Sequence, residues 1–401
     1  MHKIKIIHIQ ILPVLSGVQK AMLDILIRLN PDIYDPFVIC NSEGELTKEL
    51  RKQEISYLII PELRREINPY FDLRAFVKLF RLFKREKYDI VHTHSSKPGI
   101  LGRFAAKAAG IKHIVHTVQG FAFHEHSARW HLLFFGFLEK LAGYATDKVI
   151  FVNQKDKKLA LRLKLIAPEK IVLIRNGVDL SCFENKNGKF DKSTLPGVGA
   201  QDRLVCMVAR LWKQKAPEYF IKAVPLILDK FPRTKFLVIG DGPLKDALLA
   251  LTKSLQVDRS VQFLGWRSDV NQILRVIDVF VLPSLWEGLP LSILEAMAAS
   301  KPVVASDIKG NNELVEHGET GFLFPPRNHQ QISDYVSKLL RDPGLAQTMG
   351  YNGYKRVKQT YDINIIAKKI DYLYKSFLSD NHFQGTLIKK SQQMQQFHLN
   401  T

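Results

Sequence analysis

The stretch at residues 283–295 reads Pro-Ser-Leu-Trp-Glu-Gly-Leu-Pro-Leu-Ser-Ile-Leu-Glu, and it decides how the chain is organised. It follows an apolar run at 279–282 that is typical of a buried strand, and Pro290 favours the first turn of a new helix. A helix N-terminus offers free backbone N–H groups and partial positive charge, which suit a phosphate. Glu287 and Glu295 flank this helix start, and carboxylates suit the hydroxyl groups of sugars. The stretch therefore predicts a site for a nucleotide sugar, whose phosphates lie between two sugars.

The composition indicates a globular chain with a strong positive charge. Of the 401 residues, 46% are hydrophobic, which is enough for two domains with ordinary cores. The formal net charge is +19, with a larger cation excess in residues 1–190 than in the remainder. Nucleic acid, anionic lipid and phosphorylated small molecules are all partners that such a charge suits. Cys40, Cys182 and Cys206 are widely spaced and match neither a metal site nor a disulfide framework, as expected in a reducing cytoplasm.

Strand-like and helix-like segments alternate along almost the whole chain, which predicts an α/β fold with parallel sheets. No small-residue cleavage site follows the first strand and no run of 18 apolar residues occurs, so we expect neither a signal peptide nor a transmembrane helix. Strands are predicted at 3–9, 36–40, 56–60, 89–92, 113–117, 148–152, 171–174, 203–208, 235–239, 260–263, 278–282, 302–305 and 322–324. Helices are predicted at 17–30, 45–53, 71–86, 98–109, 128–142, 155–164, 215–230, 243–254, 268–275, 290–299, 311–316, 328–341, 343–359 and 361–378.

The alternating pattern pauses between residues 176 and 202, where residues 187–199 are rich in turn-forming side chains. We therefore predict two Rossmann-like domains that face each other across a cleft, with ligands at the carboxyl ends of the strands. The predicted units are a first domain at 1–178, a second domain at 179–360, a C-terminal helix at 361–380 and a flexible tail at 381–401.

Two cations, Arg210 and Lys215, follow the strand predicted at 203–208 and precede a helix. They would neutralise a diphosphate leaving group as negative charge develops on it. A solvated basic loop is the alternative, since Lys213 belongs to the same stretch. No Asp-x-Asp motif occurs in the sequence, so we expect the cations to replace the metal ion of other nucleotide-sugar enzymes. We predict neither a bound metal nor another cofactor.

Glycine loops and histidines also follow predicted strands. Gly17 opens a helix, but its surroundings lack the three-glycine spacing of a dinucleotide site, and a plain turn is the alternative. Gly242 and Trp266 belong to two further loops where a base and a ribose would lie, again with structural turns as the alternative. His94 and His116 end predicted strands and would face the cleft, although a structural role is usual for such histidines. The first-domain histidines show no zinc-like spacing with cysteine or acidic partners.

Several of these motifs together resemble the retaining glycosyltransferases of family 4, which have the two-domain GT-B fold. The resemblance covers about residues 3–378, and its most specific part is Pro-Ser-x-x-Glu287-Gly-x-Pro-x-x-x-x-Glu295-Ala. The other matching segments are Arg210-x4-Lys215, Asn176-Gly-Val-Asp179, Gly240-Asp-Gly-Pro243, Asp89-Ile-Val-His-Thr-His94 and residues 305–315. The fold that it implies has a C-terminal helix that crosses back to the first domain.

The resemblance also implies roles for these residues in the transfer of a hexose with retention of its anomeric configuration. Glu287 would hold hydroxyl groups of the donor sugar, and Glu295 would hold those of the ribose. Arg210 and Lys215 would hold the diphosphate, so that the expected catalytic residues are Glu287, Arg210 and Lys215. Further binding groups are expected at Gly17, Gly288, Leu289 and Leu291.

One position departs from the family pattern. Many relatives read His-Thr-x-His-Gly after the fifth strand, whereas His116-Thr-Val-Gln119-Gly places a glutamine at the second histidine. Glutamine can bind a sugar through hydrogen bonds, but it cannot act as a general acid. His116 and His124 are the candidates to substitute for it, and a catalytically silent homologue is an open alternative.

The helix predicted at 71–86 carries a basic face opposite its aromatic residues. The cations of this face are Arg74, Lys78, Arg81 and Arg85. Together with Arg64, Arg65 and the run at 130–135, they predict peripheral contact with an anionic membrane. A solvated helix face is the alternative.

Three hypotheses for the function follow. The first is a cytoplasmic, UDP-sugar-dependent transferase, peripheral on the inner face of the cytoplasmic membrane. It would move a hexose or N-acetylhexosamine to a lipid-linked or oligosaccharide acceptor in surface polysaccharide synthesis, such as that of lipopolysaccharide. The second is a nucleic-acid-binding protein, prompted by the charge, but no recognition-helix or aromatic-basic RNA motif occurs, so we expect no nucleic-acid partner. The third is a GT-B relative that is catalytically silent or acts as an isomerase.

Overall fold

The computed structural model describes residues 3–121, 129–184 and 190–377. It contains two parallel β-sheets interleaved with helices, which confirms the α/β class. The strands of the first sheet are β1 (Ile4–Ile9), β2 (Tyr34–Cys40), β3 (Ser56–Ile59), β4 (Ile90–His94), β5 (His113–Val118), β6 (Lys148–Phe151) and β7 (Ile171–Leu173). Those of the second sheet are β8 (Arg203–Val208), β9 (Thr234–Ile239), β10 (Val261–Gly265), β11 (Val279–Leu282), β12 (Val303–Ser306) and β13 (Gly321–Phe324).

Fourteen α-helices connect these strands or follow them within the described ranges. The helices up to the second sheet are α1 (Gly17–Leu26), α2 (Glu45–Lys52), α3 (Pro69–Glu86), α4 (Ser96–Ala109), α5 (Arg129–Tyr144) and α6 (Gln154–Arg162). The later helices are α7 (Pro217–Leu228), α8 (Lys245–Ser254), α9 (Val270–Val276), α10 (Leu291–Ala298), α11 (Asn311–Leu314), α12 (His329–Arg341), α13 (Pro343–Thr360) and α14 (Ile363–Ser376).

Almost every predicted boundary lies within two residues of the observed one. The exception is the helix predicted at 17–30, because α1 already ends at Leu26. Pro31 disfavours a helical conformation at the residue before it, and the backbone N–H of Tyr34 bonds the carbonyl of Asn30 in a turn. The apolar periodicity continued past the true helix end, so sequence alone overestimated its length.

The strand order places the open crevice of each sheet at a defined point. The orders are β3-β2-β1-β4-β5-β6-β7 and β10-β9-β8-β11-β12-β13. The chain order reverses between β1 and β4 in the first sheet, and between β8 and β11 in the second. Ligands of such sheets bind beyond the carboxyl ends of the strands at these switch points. Residues 283–295, which follow β11, therefore begin at the switch point of the second sheet.

The last helix returns to the first domain, as predicted. The buried side chains of α14, including Ile366 and Tyr374, pack into one core with α1 and with Ile6 and Val38 of the first sheet. At the crossing, Val178 forms a parallel bridge with Asp362. The boundary predicted near residue 178 falls in this connection, between Leu173 at the end of the first sheet and Arg203 at the start of the second.

The opposite face of the first sheet is covered by a separate core. Ile7 and Ile9 alternate with Ile6 along β1 and pack against buried residues of α3 and α4. This alternation places α3, α4 and α5 on the face opposite α1 and α14, since α4 contacts both α3 and α5.

No helix in the described ranges has the length and apolarity needed to cross a bilayer. Three parts of the predictions lie outside what the structure describes. They are the flexible tail at 381–401, His124, and the side chains of residues 130–132 in the predicted membrane-binding run.

Candidate active site

The two domains meet at Gly288 and Gln119. A Cβ atom placed on Gly288 would lie 2.0 Å from the backbone carbonyl oxygen of Gln119, so only glycine permits this approach. The side-chain carbonyl of Gln119 also accepts a hydrogen bond of 3.2 Å from the Asn176 amide. The loop that departs from the family pattern therefore touches the Glu287–Gly288 turn directly.

Glu287 lies at the centre of the second-domain side of this contact and is only 6% exposed. Its carboxylate accepts hydrogen bonds from the Lys215 ammonium and, at 2.7 Å, from the Ser284 hydroxyl. The Gln214 amide donates to the Trp286 carbonyl at 2.9 Å, which ties the loop after β8 to the loop after β11. Two of the predicted catalytic residues, Glu287 and Lys215, are thus brought together as a nearly buried ion pair.

Arg210, the third predicted catalytic residue, belongs to the same β8–α7 loop. Its guanidinium lies over the Trp212 ring, 4.5 Å from the centroid, and Arg65 of the first domain lies 5.1 Å from the same ring. Burial, together with the charge of Arg65, lowers the pKa of Arg210 below its usual range. A bound anion at this point would relieve the repulsion between the two cations.

The first turn of α10 supplies unpaired backbone N–H groups. Its N-cap is Pro290, which makes no side-chain hydrogen bond to the turn, and Leu289 and Leu291 are buried around it. Gly17, at the start of α1, approaches to within van der Waals reach of Leu291. The N-termini of α1 and α10 thus converge from the two domains.

Glu295 lies one turn further along α10, and its carboxylate pairs with the Lys20 ammonium of α1. This pairing raises the pKa of Lys20 above its usual range. The residue predicted to hold ribose hydroxyls is therefore already in contact with the first domain.

Gly242 and Trp266 lie on the rim formed by the carboxyl ends of β9 and β10. A Cβ on Gly242 would come within 2.6 Å of the Leu211 carbonyl oxygen, so this glycine allows the loop to pack on the β8–α7 loop. Trp266 is 53% exposed and offers a free aromatic face at the same rim. Gly242 has a packing role in this structure, and the binding of a base at Trp266 stays a prediction.

The predicted histidines are buried in the first domain. His116 is 1% exposed and hydrogen-bonds Thr93 at 2.9 Å. His94 bonds His8 at 2.9 Å through Nε2, whereas its Nδ1 atom has no partner among the described residues. Burial lowers the pKa of His94 to about 3, so it is neutral at physiological pH.

A continuous chain of hydrogen bonds extends from His94 through His8, Tyr374 and His92 to Thr117. The ligand atoms of His8, His92 and His94 lie within 4.8 Å of one another, which is close enough to surround a metal ion. Their neighbours already occupy five of the six ring nitrogens, so the group fits a hydrogen-bond network better than a metal site. The sequence prediction overlooked His8 because it lies on a different strand.

Three further contact residues escaped the sequence prediction: Lys20, Ser284 and Gln214. Gln214 immediately precedes Lys215, and Ser284 lies three residues before Glu287 in the same motif, so proximity in sequence was the available signal. No sequence signal pointed to Lys20, because its partner Glu295 is in the other domain.

The sequence of this chain is similar to those of known proteins. The family described as Glycosyltransferase Family 4 matches residues 15–181, and the family described as Glycosyl transferases group 1 matches residues 194–356. A UDP-Gal:alpha-D-GlcNAc-diphosphoundecaprenol alpha-1,3-galactosyltransferase from Escherichia coli is 38% identical over 378 residues, which cover 93% of this chain and 97% of the relative. The chain therefore belongs to glycosyltransferase family 4, and the leading hypothesis from the sequence, a glycosyltransferase, is confirmed.

Two other comparisons agree with this assignment. An N,N'-diacetylbacillosaminyl-diphospho-undecaprenol alpha-1,3-N-acetylgalactosaminyltransferase from Campylobacter jejuni is 28% identical, covering 87% of this chain and 93% of the relative. The crystal structure of Anabaena HepE in complex with UDP and glucose superimposes with a TM-score of 0.80 at 22% identity, covering 93% of this chain and all of that one. This likeness confirms the predicted GT-B fold.

Proposed function

We propose that the protein transfers a hexose or N-acetylhexosamine from a UDP-sugar to a lipid-linked saccharide, with retention of anomeric configuration and without a metal ion. The observation that carries the proposal is the buried Glu287–Lys215 pair, held beside the N-terminus of α10 and against the Gln119 loop of the first domain. This arrangement combines an acceptor of sugar hydroxyl hydrogen bonds, a cation and free backbone N–H groups at one point.

In the proposed donor complex, Glu287 accepts hydrogen bonds from hydroxyl groups of the transferred sugar, and Glu295 accepts them from the ribose. Arg210, Lys215 and the first turn of α10 hold the diphosphate, whose negative charge grows as the sugar–phosphate bond breaks. Fixed cations and helix N–H groups can supply this stabilisation without a divalent ion.

Retention follows if the acceptor attacks from the face that the leaving group occupies. The acceptor oxygen bonds the anomeric carbon as the bond from that carbon to the phosphate oxygen breaks. The hydroxyl proton passes to the departing phosphate, and UDP leaves. No side-chain base is needed in this scheme, so a glutamine at position 119 is compatible with activity. Gln119, oriented by Asn176, then serves to bind sugar.

The acceptor class rests on the two relatives, whose names both specify a diphospho-undecaprenol acceptor and an alpha-1,3 linkage. A UDP-hexose carries its phosphate in the α configuration, so an α product corresponds to retention. We infer the same acceptor class here, in the synthesis of a surface polysaccharide.

A lipid-linked acceptor requires contact with a membrane, and we propose α5 as the contact surface. Its exposed face carries the large apolar side chains Leu133, Phe134, Phe137, Leu141 and Tyr144. Its inner face buries Glu139, whose carboxylate accepts a 2.8 Å hydrogen bond from the fully buried Arg103. A helix that turns its largest apolar residues outward is typical of a membrane-surface helix.

The basic face predicted on α3 contributes less charge than the sequence suggested. Lys78 bonds the Glu62 carboxylate at 2.7 Å and Arg85 pairs with Glu86 at 2.7 Å. Arg81 and Lys84 reach no carboxylate within the described residues and stay exposed. They would attract anionic lipid on the same side of the sheet as α5, consistent with a place on the inner face of the cytoplasmic membrane.

The donor and acceptor are tested together. UDP-sugars are screened for thermal stabilisation, and the best donor is incubated with a lipid extract that is then analysed by mass spectrometry. We expect UDP-hexoses to stabilise the protein and one lipid to gain a hexose or N-acetylhexosamine mass. A protein that no UDP-sugar stabilises and that modifies no lipid would be a silent homologue.

A further inference from the structure

A cleft between the two domains has a volume of about 1210 Å³ and an excess of positive charge. Its walls include Gln119, Glu287 and Gly288, so it opens directly onto the proposed reaction centre. Among the residues that the structure describes, six cations line it, against the three carboxylates of Asp156, Glu287 and Asp307. The cations are Lys155, Lys158, Arg162, Lys213, Lys309 and Arg327.

Three of these cations come from one helix of the first domain. Lys155, Lys158 and Arg162 are spaced by three and four residues along α6, which places them on one helix face. All three are exposed, and none forms an ion pair within the described ranges. Because like charges repel at this spacing, the row costs stability unless an anion lies against it.

The opposite wall of the cleft comes from the second domain. Lys309 is neutralised by Asp156 at 2.7 Å, and Glu287 is neutralised by Lys215. Lys213 and Arg327 reach no carboxylate in the described part of the chain. Within the described ranges, five cations without a carboxylate partner therefore face one cleft from both sides.

The cations of the cleft are not the ones that the proposed function assigns to the donor. Arg210 and Lys215, which the proposed function assigns to the donor diphosphate, do not line the cleft. The unpaired cations therefore offer a second anion site, in the cleft that Glu287 also lines. A ligand with two phosphate groups has the charge and oxygen density that such a group of lysines and arginines favours.

We propose that α6 and the facing second-domain loops bind the diphosphate of the acceptor. This inference rests on the proposed function, because it assigns the second anion to the accepting substrate. In the Escherichia coli relative the accepting GlcNAc is attached directly to the diphosphate. Such an acceptor brings two phosphates within one sugar ring of the reacting hydroxyl, and one cleft is lined both by these cations and by Glu287 and Gln119. Lys158 and Arg162 are therefore acceptor-specificity residues.

The first experiment measures the second anion site without any sugar transfer. Inorganic pyrophosphate is titrated calorimetrically into protein saturated with UDP, so that the donor site is filled. We expect pyrophosphate to bind the wild type, and to bind the Lys158→Ala/Arg162→Ala variant at least tenfold more weakly, from the loss of two charge-assisted contacts. The matched control is Lys157→Ala on the same helix, outside the cleft lining, and it should bind as the wild type does.

The second experiment compares two acceptors under turnover conditions. One is a short-chain GlcNAc-diphospho-lipid, and the other is an alkyl GlcNAc without the diphosphate. The double variant should raise KM for the first acceptor at least tenfold, leaving KM for the second acceptor and for the UDP-sugar unchanged. If neither the wild type nor the variants transfer sugar, that result would count against the proposed function. The pyrophosphate titration would still test the anion site, because it requires no sugar transfer.

Three results would overturn the inference. The first is no pyrophosphate binding by UDP-saturated wild type, and the second is equal binding by the wild type and the double variant. The third is a rise in KM for the UDP-sugar instead of the acceptor, which would assign the cations to the donor.

Discussion

Lys20 of the first domain and Glu295 of the second form an ion pair that bridges the two helix N-termini of the site. The carboxylate that is proposed to bind ribose is therefore held in place from the opposite domain. In the proposed complex, the ribose hydroxyls donate hydrogen bonds to the Glu295 carboxylate, which already pairs with the Lys20 ammonium. If Glu295 binds the ribose as proposed, donor binding and domain closure are coupled at this position.

Replacing Glu295 with alanine should weaken UDP binding about tenfold to a hundredfold, because the ribose loses hydrogen bonds to a charged acceptor. Isothermal titration with UDP measures the effect. Glu313→Gln is the matched control, since Glu313 also pairs across the domains, with Arg175 at 2.9 Å. An equal loss in both variants would mean that Glu295 acts through domain closure and does not bind ribose.

Replacing Lys215 or Glu287 with alanine should abolish detectable transfer, with kcat falling by about two to three orders of magnitude or more, while the protein stays folded. Lys215→Ala should also lower thermal stability, because it leaves the nearly buried Glu287 carboxylate without its cation. The double variant Lys215→Met/Glu287→Met should be less destabilised than the sum of the single Met variants. Wild-type turnover in either alanine variant would refute the assigned roles.

Adding one methyl group at Gly288 should separate the domains, because its Cβ would overlap the Gln119 carbonyl oxygen at 2.0 Å. Gly288→Ala should therefore lose turnover but retain most of its UDP affinity, and small-angle scattering should show a larger radius of gyration. Gly136→Ala, where the added Cβ meets its nearest neighbour at 3.7 Å, is the control. A Gly288→Ala enzyme with normal turnover would show that this contact is dispensable.

Stability should fall as the pH drops below about 6.5. Burial lowers the pKa of four histidines, so the unfolded chain binds more protons than the folded chain in this range. These histidines are His8, His92, His94 and His116. Their contribution to the free energy of unfolding is present above pH 6.5. On acidification this contribution is lost, by up to about 1.4 kcal/mol per pH unit for each histidine.

One carboxylate opposes this trend. Burial raises the pKa of Asp24 to about 6, so its protonation favours the folded state as the pH falls from about 6 towards 4. Four histidines outweigh one aspartate, and Tm measured between pH 7.5 and pH 5 should decrease. A constant or rising Tm over that range would contradict the neutral, buried state of the histidines.

The sequence predicted local structure well, and two of the residues that it assigned to the donor, Lys215 and Glu287, lie in contact, while their roles stay predictions. The periodicity of strands and helices can be read directly from the sequence. Glu287 and Lys215 belong to short motifs, and the sheet topology brings the loops that carry these motifs together. The Lys20–Glu295 pair was not predictable in this way, because it depends on how two independently folded sheets face each other. The hydrogen-bond chain from His94 to Thr117 likewise joins three strands and the last helix, so no local pattern reveals it.

The membrane prediction shows a different limit. Spacing on α3 identified cations but not the carboxylates that neutralise Lys78 and Arg85. The outward apolar face of α5 could be distinguished from a core face only when its neighbours were known. Burial, and not composition, distinguishes an outward apolar face from a core face, while membrane contact itself stays a prediction.

The central claim is retaining transfer from a UDP-hexose to a diphospho-lipid by a site that needs no metal. The most direct measurement is the anomeric proton coupling of the product by NMR, after reaction with a GlcNAc-diphospho-lipid in the presence of EDTA. The account predicts release of UDP and a small coupling constant that corresponds to an α linkage. A β-linked product, or transfer that stops with EDTA and resumes with added Mg²⁺ or Mn²⁺, would contradict it.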